Sequence, residues 1–235
     1  MAKKNKEISS SNLIKVKPIT EGQKSVFETW KQGKNQFLFG CAGTGKTFIS
    51  LYLAMQDVLD LKTKYDKVIL VRSLIPTREI GFLPGDEEDK AALYQVPYQN
   101  MVKFMFEQPN EQAFNMLYDR LKNQGSLYFL STSFLRGLTF DNSIIIVDEC
   151  QNLNFHELDT ITTRVGQDSK IVFCGDFNQT DLLKQNERNG LHDFLRILME
   201  MQEFNCVEFN IGDIVRSGFV RNYLIQKTKL GMGME

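Results

Sequence analysis

Gln36-Phe-Leu-Phe-Gly40-Cys-Ala-Gly-Thr-Gly45-Lys46-Thr47-Phe48 is the stretch whose reading decides the fold. Residues 36–40 are an apolar run without alternation, the pattern of a strand buried on both faces. The run passes into GCAGTGKT, a full match to GxxxxGK[ST]. Phe48, Leu51, Tyr52, Met55 and Leu59 then recur at helical spacing, which predicts a helix over Lys46–Leu59. Strand, glycine-rich loop and helix in that order let backbone N–H groups turn inward around phosphate oxygens, with the positive end of the helix behind them. The expected nucleotide contacts are Gly40, Cys41, Ala42, Gly43, Thr44, Gly45, Lys46, Thr47 and Phe48. Lys46 reaches the β- and γ-phosphates of ATP in this reading, and the Thr47 hydroxyl ligates Mg²⁺. The competing reading is a glycine-rich turn without a ligand. Chance gives such a match in a chain this long on the order of 1% of the time.

Outward from the loop, further strands are expected at Lys67–Val71, Leu127–Leu130, Ile144–Val147, Lys170–Cys174 and Cys206–Phe209. Helices are expected at Glu21–Lys31, Phe155–Arg164, Leu191–Glu203 and Ile214–Lys227. Pro76 to Pro109 reads as an insertion with its own short helices. Strands that are apolar throughout need helical cover on both sides. The fold class is therefore α/β, a RecA-like P-loop three-layer sandwich with a mainly parallel central sheet. Residues 1–18 read as a disordered basic leader, because Lys3, Lys4, Lys6, Lys15 and Lys17 face only Glu7. Residues 19–235 read as one domain.

Composition sets limits. Hydrophobic residues are 42% and charged residues 24% of the 235, and the formal net charge is −1. A nucleic-acid surface must then be a local patch rather than a property of the whole chain. The four cysteines never approach CxxC spacing, so they carry no zinc signature and fit a reducing, cytoplasmic setting. No apolar stretch reaches membrane-spanning length, and no membrane partner is expected. His156 and His192 are solitary and are read as surface or packing residues. The cluster Asp86-Glu87-Glu88-Asp89 reads as a solvated helix start, with metal binding as the weaker alternative.

Asp148-Glu149 stands at the carboxyl end of an apolar run, the edge at which parallel sheets gather their chemistry. In this reading Asp148 holds Mg²⁺ and Glu149 orients and polarises the attacking water. A kinase must exclude water, so the second acid favours water as the acceptor. Gly175-Asp176-Phe177-Asn178-Gln179 follows the next strand and lets Gln179 reach the γ-phosphate or its water. A polar turn without a catalytic part is the alternative there.

Together these segments resemble the PhoH family, whose ATPase domain is similar to the first motor domain of superfamily 1 helicases. ITEGQ, GCAGTGKT, VRSLIPTREIGFLPGDEEDK, FLRGLTF, IIIVDECQN, TTRVG, GDFNQTD and DIVRSGFV occur in the family's order from about Thr20 to Leu224. Ser73 replaces a proline common in the family, and the spacing from Lys90 to Pro97 is longer than usual. The small size and abbreviated ends resemble phage-encoded members. The resemblance places Gln23 as the reader of adenine. It also implies a homo-oligomeric ring, expected to be a hexamer, in which an arginine is presented to a neighbour's ATP. Arg216 is the first candidate, followed by Arg164 and Arg221.

A partner of single-stranded RNA or DNA is the weaker half of the reading. Ser131, Thr132, Ser133 and Arg136 are candidate phosphate contacts, and Phe82 is a candidate base-stacking residue. A helix cap and subunit packing are the respective alternatives. The leading expectation is a Mg²⁺-dependent ATP hydrolase with Lys46, Asp148, Glu149, Gln179 and Arg216 as catalytic residues. A P-loop kinase of a small metabolite and an ATP-gated assembly scaffold are the alternatives.

Overall fold

The computed structural model describes residues 7–73, 87–132, 135, 137–176 and 190–230, of which 87–92 and 228 by backbone alone. Six strands, β1 (Asn35–Gly40), β2 (Lys67–Arg72), β3 (Leu127–Ser131), β4 (Ser143–Val147), β5 (Lys170–Gly175) and β6 (Phe204–Phe209), form one sheet in the order β3-β2-β4-β5-β1-β6. Every pairing is parallel, so the sheet is more uniform than the mainly parallel one expected.

Alternation along these buried strands sorts two cores. Leu38, Val68, Leu70, Ile144, Ile146, Val172 and Cys174 face one side. There they meet α1 (Glu21–Lys31), α2 (Lys46–Leu59), α3 (Glu87–Phe106) and α4 (Glu111–Asn123). Phe37, Phe39, Ile69, Val71, Ile145, Val147, Ile171 and Phe173 face the other side. That side is covered by α5 (Phe155–Thr162) and α6 (Leu191–Glu200). Each large apolar side chain buried this way contributes about 1.5–3 kcal/mol, which is why apolar runs without alternation are stable only at the centre of three layers. Cys174 and Cys150 lie in these cores as small apolar residues, one in each.

Helix α4 lies outside the expected helices, and three further segments differ from expectation, each for a packing reason. Among its described residues the insertion carries one 20-residue helix, α3, rather than short ones, although Pro97 lies inside it. Proline removes one hydrogen bond and crowds the preceding turn. Tyr98, Val102, Met105 and Phe106, all buried on one face, hold the helix together across that defect. The acidic residues Glu87–Asp89 open α3, in line with the expected helix start.

The leader is ordered from residue 7 onward rather than disordered to 18. Ile8 is buried, Ser10–Asn12 form a 3₁₀ turn, and Ile14 N donates to Met105 O at 2.8 Å. The apolar residues between its lysines fix it: Leu13 and Val16 pack on the core, and the Tyr52 hydroxyl donates to Ile14 O.

The last helix, α7 (Gly218–Lys229), begins four residues later than expected. Asp213 caps Asn210 N and binds Gly22 N, and Val215 N donates to Gly43 O. Residues 213–215 are thereby held against the chain as a strap rather than wound into the helix.

Candidate nucleotide site

Register brings the chemistry to one edge. Val147 of β4 pairs with Val71 of β2 and Phe173 of β5, and Phe39 of β1 pairs with Gly175. The residues that leave these strands are Arg72, Asp148, Asp176 and the glycine-rich loop. They share a cleft of about 850 Å³ at the carboxyl edge. Such an edge, where crossovers leave the sheet in opposite directions, is where open α/β sheets bind ligands.

The loop is built for close backbone approach. Gly40 has φ +118°, and a Cβ there would lie 2.1 Å from Phe209 O, so no other residue fits. Gly45, also at positive φ, caps α2. Among the described residues, no N–H of residues 42–48 donates to a backbone carbonyl. Orphan donors converging at a helix start form an anion cradle. Lys46 is buried and donates to Cys41 O at 2.8 Å and Gly40 O at 3.3 Å, and it pairs with Asp176 Oδ1 at 2.6 Å. Burial raises the Cys41 thiol above its ordinary value, which lowers its reactivity. Ala42 is half-buried in the loop. Thr44 is buried, its hydroxyl donating to Cys41 O. Phe48 lines the cleft and meets the Phe104 ring edge-on at 5.7 Å.

Thr47 Oγ1 donates to Asp148 Oδ1 at 2.7 Å. A hydroxyl and a carboxylate in contact are the hard oxygen pair that suits Mg²⁺ beside a phosphate. Glu149 stands in the left-handed region, φ 53° and ψ 41°, a conformation that costs a non-glycine residue about 1 kcal/mol or more. Glu149 lines the cleft. Burial first, then the Asp148 charge, raises its pKa above the ordinary carboxylate value. Gln151 opposes the shift, donating to Glu149 Oε2 at 2.5 Å, and its own carbonyl accepts from Asp176 N at 3.1 Å.

Gln23 lines the same cleft, but both ends of its amide meet backbone: Nε2 donates to Thr44 O at 3.1 Å and Oε1 accepts from Ile19 N at 2.9 Å. It therefore ties the loop to α1 as well as facing the ligand space. Arg216 is exposed and lines its own chain's cleft, with its Cγ 2.9 Å from where a Cβ on Gly43 would lie. The strap through Val215 N and Gly43 O holds Arg216 beside the loop of its own chain. Arg164 stands two residues past the end of α5, with its carbonyl accepting from Phe140 N, towards the amino edge of the sheet and away from the cleft. Arg221 is exposed on α7.

Ser131 is buried at the end of β3, which removes it as a surface phosphate contact. Thr132 is partly exposed beside it. Gln179, Phe82, Ser133 and Arg136 lie outside the described residues. The structure adds Arg72, Tyr98, Gln151 and Asp176 to the site. Asp176 carried a signal, since it stands one place past a buried strand that neighbours Asp148. Tyr98 carried none.

The comparisons with known proteins agree with this geometry. The family model described as PhoH-like protein matches residues 15–226. A PhoH-like protein of Synechocystis is 33% identical over 79% of this chain and 54% of its own length. A PhoH-like protein of Bacillus subtilis is 30% identical over 88% and 61%, and Protein PhoH2 of the same organism is 36% identical over 61% and 32%. The chain thus spans about a third to three fifths of these relatives. Among solved structures, the large terminase of a thermophilic bacteriophage has a TM-score of 0.50 at 12% identity, covering 88% of this chain and 50% of that one. The Hef helicase domain of Pyrococcus furiosus has a TM-score of 0.50 at 12% identity, covering 86% and 39%. These two likenesses place the fold among α/β P-loop proteins of RecA-like type. With the loop, the acidic pair and a family match across most of its length, this chain belongs to the PhoH-like family.

Proposed function

We propose that the cleft binds ATP with Mg²⁺ and hydrolyses it, and that hydrolysis is coupled to single-stranded RNA or DNA in a ring of copies, expected to number six. The observation that carries this reading is the contact between Thr47 and Asp148, which joins the phosphate loop to the acidic pair on one sheet edge. Loop N–H groups and Lys46 bind the phosphates, and Thr47 and Asp148 hold the metal. Bound Mg²⁺ would draw charge from the phosphate oxygens. Glu149 accepts a proton from the attacking water, and a raised pKa makes it the stronger base for that task. A second acid so placed supports water over an added acceptor.

Arg216 contacts the phosphates within its own subunit. The arginine supplied across the ring is assigned to exposed Arg221, with Arg164 as the alternative. Such a residue raises cleavage by about 10³–10⁵-fold, so isolated subunits turn over slowly. The nucleic-acid half is supported by the likeness in fold to a helicase domain and by exposed Phe219 and Tyr223 on α7, interleaved with Arg221, Lys227 and Lys229.

ATPase rate measured against protein concentration, with and without single-stranded RNA and DNA, tests the whole reading. A specific rate that climbs with concentration and with polynucleotide supports it. A rate flat in both contradicts the ring and the polynucleotide partner.

A further inference from the structure

Asp148 is held from two directions. Thr47 Oγ1 donates to Oδ1 at 2.7 Å, and the Tyr98 hydroxyl donates to Oδ2, also at 2.7 Å. The first bond belongs to the phosphate loop. The second comes from α3, a helix whose sequence carries no chemical motif.

Tyr98 is 1% exposed, and its ring tilts against Phe129 at 5.7 Å. Packing alone would be served by phenylalanine, because a buried hydroxyl destabilises unless it is paired. This hydroxyl is paired: it donates to Asp148. The Arg72 guanidinium, which lies over the Tyr94 ring at 5.6 Å, interacts electrostatically with Tyr98 and with both acids of the pair. Hydrogen bonds therefore run from Tyr98 to Asp148 and on to Thr47, with the Arg72 charge beside them, and they join the acidic pair to a helix of the insertion.

We propose that Tyr98 is a positioning residue of the magnesium site: its hydroxyl, backed by Arg72, fixes the orientation of Asp148 for the cation. The inference rests on the ATP-hydrolase reading of the cleft. An aspartate at the end of a strand turns about two side-chain bonds, and one bond from Thr47 restrains only one of its oxygens. The Tyr98 bond restrains the other and leaves the Thr47 oxygen lone pairs free for a metal. Losing one hydrogen bond to a charged group shifts an equilibrium that depends on it by roughly tenfold or more.

Tyr98→Phe deletes the hydroxyl and keeps the ring. The measurements are thermal unfolding, binding of a fluorescent ATP analogue in EDTA and across a Mg²⁺ titration, and kcat and KM at saturating Mg²⁺. The expected variant unfolds near the wild-type temperature and binds the analogue equally well in EDTA. It needs about tenfold more Mg²⁺ for half-maximal tightening, and its kcat falls while KM for ATP stays unchanged. Arg72→Lys, which leaves the tyrosine in place, shifts the Mg²⁺ curve in the same direction by less. A folded Tyr98→Phe with the wild-type Mg²⁺ curve and kcat overturns the proposal, whatever Arg72→Lys does. Should Tyr98→Phe not fold, an Arg72→Lys curve equal to wild type overturns it. Wild-type protein whose analogue binding ignores Mg²⁺ sinks the hydrolase reading itself, a distinct result.

Discussion

Lys46 Nζ and Asp176 Oδ1 lie 2.6 Å apart across the mouth of the cleft, so the lysine that a phosphate needs is already paired within the protein. Its remaining donors satisfy Gly40 O and Cys41 O and keep the loop folded back on itself. A triphosphate has to draw Lys46 away from Asp176. Asp176→Asn removes that competition and is expected to tighten ATP binding. The gain is limited to about fivefold, the size of a half-exposed ion pair. Isothermal titration checks it, and weaker binding by the variant would show that Asp176 assists the ligand instead.

Glu149 acts only as a carboxylate, so turnover should fall as pH drops through its pKa. Burial and Asp148 raise that pKa, which places the acid limb of the rate profile above the ordinary glutamate range. Glu149→Gln should retain nucleotide and lose about 10²–10⁴ in kcat, along with the limb. Rates of wild type and variant across pH 4 to 8 decide this. A limb that persists in the variant belongs to another group.

The arginines separate by mixing. Copies carrying Lys46→Ala cannot hold ATP but still offer their surface to a neighbour. Mixed with Arg221→Ala copies they should restore part of the rate, because each defect lies on a different side of the interface. Mixed with Arg216→Ala copies they should restore none, since Arg216 lines its own cleft. Recovery in the Arg216 mixture would return that residue to the role the family resemblance implied.

Far from the cleft, Lys170 is 2% exposed, with its Nζ 4.1 Å from the Trp30 ring centroid and donating to Trp30 O. Burial lowers its pKa to about 8; Asp57 opposes the shift and Lys64 adds to it. The folded state thus resists the charged form, so stability is full above the unfolded value of 10.5 and is lost as pH falls to about 8. Below pH 8 the penalty, about 3 kcal/mol by this shift, stays constant. Tyr65, pushed up to about 12, works the other way above pH 10. Denaturant unfolding from pH 7 to 10 should therefore show wild type gaining stability relative to Lys170→Met, a difference in which the four thiols, whose raised pKa values lower the stability of both proteins above pH 9, cancel. A difference that stays constant over that range would mean that Lys170 keeps its ordinary pKa.

The sequence was most legible where chemistry imposes spacing. Gly40 to Thr47 had to leave a strand and enter a helix, and they do; the two acids had to end a neighbouring strand, and they do. Apolar runs marked the six strands, because central strands of a three-layer fold are apolar on both faces. Contacts made by residues distant in the chain were not legible. Tyr98 reaches Asp148 across 50 positions, and nothing local distinguishes it from a core tyrosine. The leader looked disordered because its five lysines face a single acid, Glu7, yet Ile8, Leu13 and Val16 find a hydrophobic surface only tertiary structure supplies. The motif around Arg216 marked that residue as important, but not that it lines the cleft of its own chain, since the bond from Val215 to Gly43 joins distant parts of the sequence.

Titration of purified protein with ATP, in Mg²⁺ and in EDTA and beside Lys46→Ala, examines the central claim most directly. Saturable binding that Mg²⁺ tightens and that Lys46→Ala abolishes is the predicted result. Wild-type protein with no affinity for any purine triphosphate, at any concentration or state of assembly, would contradict the account.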